Sequence, residues 1–119
     1  MPLIKVQTSA SPDSATAQDL LKILSAKLSQ HLGKPESYVM TCLEGGVSMT
    51  FAGTTEPVCY VEVKSIGQIS PSQTQAMSKD FCDTIQQAIA VSPARTYIEF
   101  NNATGTATGA MWGWNGSTF

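Results

Sequence analysis

Val58-Cys59-Tyr60-Val61-Glu62-Val63-Lys64-Ser65, followed after a short gap by Ser70-Pro71-Ser72-Gln73, is where this chain restarts a pattern it has already used. In the first run Val61 and Val63 fall on one side and Tyr60, Glu62 and Lys64 on the other, the period of a half-buried strand. The second run is a helix start. A Ser hydroxyl can accept from the N–H three residues on, Gln can reach back to the Ser N–H, and proline suits the first helical position. Met77, Phe81, Ile85, Ala88 and Ile89 then recur at helical spacing. Ser92-Pro93 predicts the stop, and Thr96 to Phe100 a further strand.

Working back toward the amino terminus, the same order appears. Leu3 to Gln7 reads as a strand. Ala17, Leu20, Leu21, Leu24, Leu28 and Leu32 form a helical stripe, with Ser11-Pro12 suiting its start and Gly33 with Pro35 its end. Tyr38 to Leu43 predicts the second strand, and Val47, Met49 and Phe51 a minor one. The halves align at a shift of 58, which sets Leu3 on Val61 and Gly33-Lys34-Pro35 on Val91-Ser92-Pro93. The expectation is an α/β fold in one domain over 1–119, with pseudo-repeats at about 2–57 and 58–119. Its duplicated βαβ unit would give a four-stranded mixed sheet with two helices on one face. Outward strand positions read as substantially apolar too, so the bare sheet face predicts an oligomer.

Composition narrows the function. The 119 residues carry a net charge of −2 with a pI near 5.2, and only 13% are charged. That argues against nucleic acid or an anionic membrane as partner. The opening residues lack a secretory leader's basic start and apolar stretch, which predicts a cytoplasmic protein. Cys42, Cys59 and Cys82 have no metal-ligand spacing, and His31 is the single histidine, so no metal or cofactor is expected. His31 falls in the last turn of the first helix, where the helix dipole favours a protonated ring. The tail carries Trp112, Trp114 and Phe119, aromatics that ought to dock on a neighbouring subunit or line a ligand site.

Proline at position 2 is the chemically suggestive residue. Removal of Met1 would leave Pro2 as a secondary amine at the start of a strand. An α-amino group has an ordinary pKa of about 7.7–8.0, and an apolar wall or a nearby cation lowers it. A drop of about two units would make the free base dominant at neutral pH, and such an amine can remove a proton next to a carbonyl.

Pro2-Leu3-Ile4-Lys5-Val6, Gly33-Lys34-Pro35, Gly53-Thr54-Thr55-Glu56-Pro57, Ser65-Ile66-Gly67, Ser92-Pro93-x-Arg95-x-Tyr97-Ile98 and Gly113-Trp114-Asn115-Gly116-Ser117-Thr118-Phe119 follow one another along the chain. In that order they resemble the macrophage migration inhibitory factor family of the tautomerase superfamily, which also holds D-dopachrome tautomerase. A few extra residues stand near Ala103–Gly109. The resemblance implies a homotrimer around a central channel and cofactor-free keto–enol tautomerisation of phenylpyruvate-like α-keto acids. It makes Pro2 the base and acid and Lys34 the carboxylate-binding cation. Ile66 would offer its backbone N–H, Tyr97 would come from the neighbouring subunit, and Trp114 would stand at the rim. Ser65, Phe100 and Trp112 are nearby candidates.

Two departures stand out. Tyr97-Ile98-Glu99 puts a carboxylate where the best-known members have Asn. Facing the pocket, it would repel an anionic substrate and raise the pKa of Pro2, and Lys64 could offset it. Glu56-Pro57-Val58-Cys59-Tyr60-Val61 holds one thiol where some relatives have two, which argues against dithiol redox chemistry. The alternative implied is a cytokine-like or other binding protein with a weak or vestigial pocket, acting on a receptor the sequence does not identify.

Overall fold

The computed structural model describes residues 1–103 and 111–118. In chain order the elements are β1 (Pro2–Thr8), α1 (Ser14–Leu32), β2 (Met40–Glu44), β3 (Cys59–Ser65), α2 (Pro71–Ile89), β4 (Thr96–Asn102), β5 (Gly113–Trp114) and β6 (Ser117–Thr118). The four long strands form one mixed sheet in the order β2-β1-β3-β4. Strands β1 and β3 pair antiparallel at the centre, and each has a parallel outer partner from its own half.

Both helices pack on one face. Ile4, Val6, Val61 and Val63 from the sheet meet Leu20, Leu24 and Leu28 of α1 and Met77, Phe81 and Ile85 of α2 in a single fully buried cluster. At about 1.5–3 kcal/mol for each buried aliphatic or aromatic side chain, this core outweighs any one cap or ion pair.

The repeat is real, but its shift is 57 rather than 58. A shift of 57 carries Ser14–Leu32 onto Pro71–Ile89, Ile4 onto Val61, and Leu20, Leu24 and Leu28 onto Met77, Phe81 and Ile85. It also carries the pair Leu3↔Met40 onto Tyr60↔Tyr97. Strand side chains alternate, so an error of one residue would turn half the core outward. Aligning Pro35 with Pro93 misleads: the matching backbone positions are Gly33 and Ala90, both left-handed at their helix ends.

Other boundaries move for local reasons. Helix α1 is capped by Asp13, whose carboxylate accepts from Thr16 N–H at 2.8 Å, and not by Ser11. The second strand starts at Met40 because Glu36–Tyr38 forms a turn of 3₁₀ helix. Among the described residues, the stretch expected as a minor strand contributes only a bridge between Phe51 and Thr54. Helix α2 ends at Ala90 before Ser92-Pro93 is reached, whereas the Ser70–Gln73 capping box is present as read. Asn115 and Gly116, both at positive φ, turn β5 into β6 as a tight hairpin.

The open sheet face is mixed: Leu3, Met40, Cys42 and Tyr97 share it with polar side chains, and Met40 and Tyr97 are largely exposed. Lys5, Gln7 and Glu44 form one bonded group on it, and Tyr60, Glu62, Lys64 and Glu99 another. Lys5 pairs with Glu44 at 3.4 Å, Lys64 with Glu62 at 3.5 Å, and the Tyr60 hydroxyl donates to Glu99 at 2.7 Å. Those bonds push the Tyr60 pKa above the ordinary phenol range, chiefly because Glu99 accepts a hydrogen bond from its hydroxyl. No described helix is long and apolar enough to cross a membrane.

The two helices are also tied by charge. Asp80 of α2 accepts from Lys27 at 2.5 Å and meets His31 Nε2 at 2.7 Å, so the histidine has an acidic partner as well as the helix end. Burial works to raise the Asp80 pKa, but the bonds and charges of Lys27 and His31 win and hold it below its ordinary value. A depressed carboxyl pKa stabilises fully above the unfolded value, near about 3.9, and the benefit fades as pH falls through the folded one. Asp80→Asn should therefore cost about 1 kcal/mol at pH 7, and urea unfolding should show the gap to the parent closing toward about pH 2. Ala90 sits at φ 58, a strained region for a residue with a Cβ. Ala90→Gly should stabilise by roughly 0.5–1 kcal/mol, visible as a raised Tm.

Candidate functional site

The central strand register decides what surrounds the amino terminus. Pro2, buried, is the strand partner of Ser65, and Ile66 and Gly67 follow directly. Proline is tolerated at this first strand position because its missing N–H leaves no gap inside the ladder.

Lys34 arrives from the other side. Helix α1 ends at Gly33, whose φ of 64 turns the chain sharply. Lys34 is then pinned by its N–H to Ser29 O at 3.1 Å and by its carbonyl, which accepts from Ser29 Oγ at 2.5 Å. Its ammonium donates to the Ile66 carbonyl, which also accepts from Ser65 Oγ at 3.1 Å. Gly67 has φ 96, and a Cβ there would stand 3.6 Å from Lys34 Nζ. Backbone conformation requires glycine at this point more than space does.

On the other flank lies a groove of about 410 Å³, lined by residues that include Pro2, Tyr38, Met40, Trp112 and Trp114. Lys34 and Ile66 stand outside its lining. Tyr38 and Trp114 meet edge to face with centroids 5.7 Å apart. Tyr38 is a site neighbour that the strand reading absorbed; the signal for it was the Pro35-Glu36-Ser37-Tyr38 turn, which frees its side chain from the sheet. Trp112 and Trp114 therefore dock against their own chain. Phe119 and residues 104–110, with most of the extra stretch near Ala103–Gly109, lie outside the described residues.

One chain thus brings together Pro2, Lys34, Ser65, Ile66, Trp112 and Trp114. It does not bring Tyr97 or Glu99 to them. Tyr97 pairs with Tyr60, which pairs with Gln7, at the far end of β1 from Pro2. Five residues along the strand and two strands across is roughly 19 Å. Glu99 points onto the open face, where Tyr60 binds it, and Lys64 there pairs with Glu62. Phe100, partly buried, packs against the core. Tyr97 is 66% exposed and rests its ring on Phe51 at 5.2 Å. Arg95 fixes that corner by donating to the carbonyls of Phe51, Thr54, Glu56 and Pro57 at 2.9–3.3 Å.

The electrostatics favour a neutral amine. Burial first, and then the charge of Lys34, hold the chain's α-amino group, here that of Met1, below its ordinary pKa. All three cysteines are free thiols. Burial, with a smaller contribution from Cys82, pushes Cys59 up to about 12, which makes it a poor nucleophile. Among the described residues no three His, Cys, Asp or Glu side chains cluster to hold a metal ion.

A family profile described as Macrophage migration inhibitory factor (MIF) matches residues 1–119. The macrophage migration inhibitory factor of Meriones unguiculatus is 34% identical over 119 residues, spanning 100% of this chain and 99% of that protein. The crystal structure of the homologue from Prochlorococcus marinus is 51% identical, with a TM-score of 0.86 and 98% of each chain covered. The structure from Trichinella spiralis is 30% identical with a TM-score of 0.84, covering 98% of this chain and 99% of that one.

Lys34→Met should raise the pKa of the α-amino group without restoring its ordinary value, because burial remains. An NMR titration of the amino-terminal residue checks this, and an unmoved pKa would show that Lys34 does not act on it.

Proposed function

The chain belongs to the macrophage migration inhibitory factor family, and from that premise we propose that it is a cofactor-free keto–enol tautomerase of phenylpyruvate-like α-keto acids. Pro2, freed by removal of Met1, is the base and acid. The observation that carries this reading is the meeting of three elements at one sheet end: buried Pro2, the loop at Ile66, and the Lys34 ammonium bonded to that loop.

The chemistry follows from charge. The Lys34 cation receives the substrate carboxylate, which leaves the carbon next to the ketone facing the proline nitrogen. The free amine takes a proton from that carbon, the C–H electron pair becomes the C=C bond of the enol, and a proton is returned at the oxygen. The Ile66 N–H donates to the anion in this reading, as in other oxyanion sites. No electrons leave the substrate, so no cofactor is needed.

The assembly in this reading is a homotrimer. Support comes from the split site: Tyr97, largely exposed, and Glu99 lie far from Pro2 in their own chain and so must serve a neighbour if they serve a pocket at all. The hydroxyl of Tyr60 already binds Glu99, which reduces the repulsion its carboxylate offers an anionic substrate.

Pro2→Gly, or one alanine inserted before Pro2, should lower kcat/KM for phenylpyruvate by about 10²- to 10⁴-fold with the oligomer unchanged. Ultraviolet absorbance of the enol follows the reaction, and intact mass should show Met1 absent. Retained Met1 makes the Pro2 nitrogen an amide and ends the proposal. Negligible turnover by protein with a free Pro2 would favour the binding or cytokine-like role instead.

A further inference from the structure

Resting on the tautomerase reading, we propose that Gln73 is a positioning residue that sets the spacing between the Lys34 turn and the Ile66–Gly67 loop. Its side-chain amide bonds in two directions. Oε1 accepts from Ser70 N–H at 2.9 Å, which fixes the residue at the end of that loop. Nε2 donates to the carbonyl of His31 at 3.2 Å, in the last turn of α1.

The bond to His31 is placed where α1 needs it. A helix leaves its final carbonyls without partners inside the helix. Ser29 O is taken by Lys34 N–H and Gln30 O by Gly33 N–H, and Gln73 supplies the donor for His31 O. With the Lys34 ammonium on Ile66 O, the contacts close a ring: Lys34 to Ile66, along the loop to Ser70, through Gln73 to His31, and back to Lys34. One planar amide thereby holds two carboxylate-binding segments that sit more than thirty residues apart in sequence.

Capping alone does not call for this. The capping box asks only for an acceptor at this position, and Glu serves as well as Gln. The equivalent position in the first half is Thr16, whose side chain has no amide to span to another element. The bridge belongs to the half of the repeat whose strand-and-helix unit faces the amino terminus.

Gln73→Glu separates the two functions, since it keeps the acceptor for Ser70 and removes the donor to His31. With thermal stability near that of the parent, the variant should show KM for phenylpyruvate raised roughly three- to tenfold, the equivalent of one lost neutral hydrogen bond, and kcat within about twofold. Amide exchange at Gly33 and Lys34 should quicken while the first turn of α2 stays protected. Gln73→Ala should add loss of that α2 protection. Unchanged KM, unchanged exchange at Gly33 and Lys34, or a KM effect abolished by added salt (the mark of the new charge and not the lost bond) would overturn the assignment. An inactive parent would refute the tautomerase reading instead, and the exchange comparison would still decide whether Gln73 holds the turn.

Discussion

The antiparallel register of β1 and β3 governs the molecule. Pro2 faces Ser65 at one end of the pair and Thr8 faces Cys59 at the other. Sliding that register by one residue would move either Ile4 and Val6 or Val61 and Val63 from the core to the open face. Two such side chains at about 1.5–3 kcal/mol each exceed any local preference that would favour slippage. A chain terminus ordinarily frays; here the ladder carries it into a buried position beside the loop that receives the Lys34 ammonium.

Duplication provides the frame, and unlike residues at equivalent positions divide the work. At the shift of 57, Pro2 corresponds to Cys59, Gly33 to Ala90 and Tyr38 to Arg95. The first of each pair stands at the candidate site: a buried proline, a sharp turn into Lys34, an aromatic on the groove. The second serves the scaffold: an inert buried thiol, a strained cap, and a guanidinium that ties the 51–57 loop by its carbonyls.

Several features were legible because their physics is local. The alternation of Val61 and Val63, the helical stripes, the Gly33 ending and the Ser70–Gln73 capping box each depend on neighbours within one turn or one strand. So was the grouping of Pro2, Lys34 and Ile66, through motifs in a recognisable order. The one-residue error in the repeat arose because prolines at 35 and 93 resemble each other in sequence but occupy different backbone positions. Ser11 yields the cap to Asp13 because both are good caps, and only the place where α1 begins selects between them. The Asn115-Gly116 hairpin carried a readable signal that the aromatics around it obscured.

By itself the sequence determined the fold class, the two βαβ units, and a proline that removal of Met1 would make the amino terminus, all from periodicity, caps and order along the chain. Tertiary structure decided what stands next to what. It bonded the polar side chains of the open face into two groups and packed Phe100, partly buried, against the core. It separated Tyr97 and Glu99 from Pro2, and it joined Lys34 to Ile66 and Gln73 to His31. Those outcomes depend on which strands are neighbours and in what register. Pairing energy of that kind belongs to residues distant in sequence, so no local pattern encodes it.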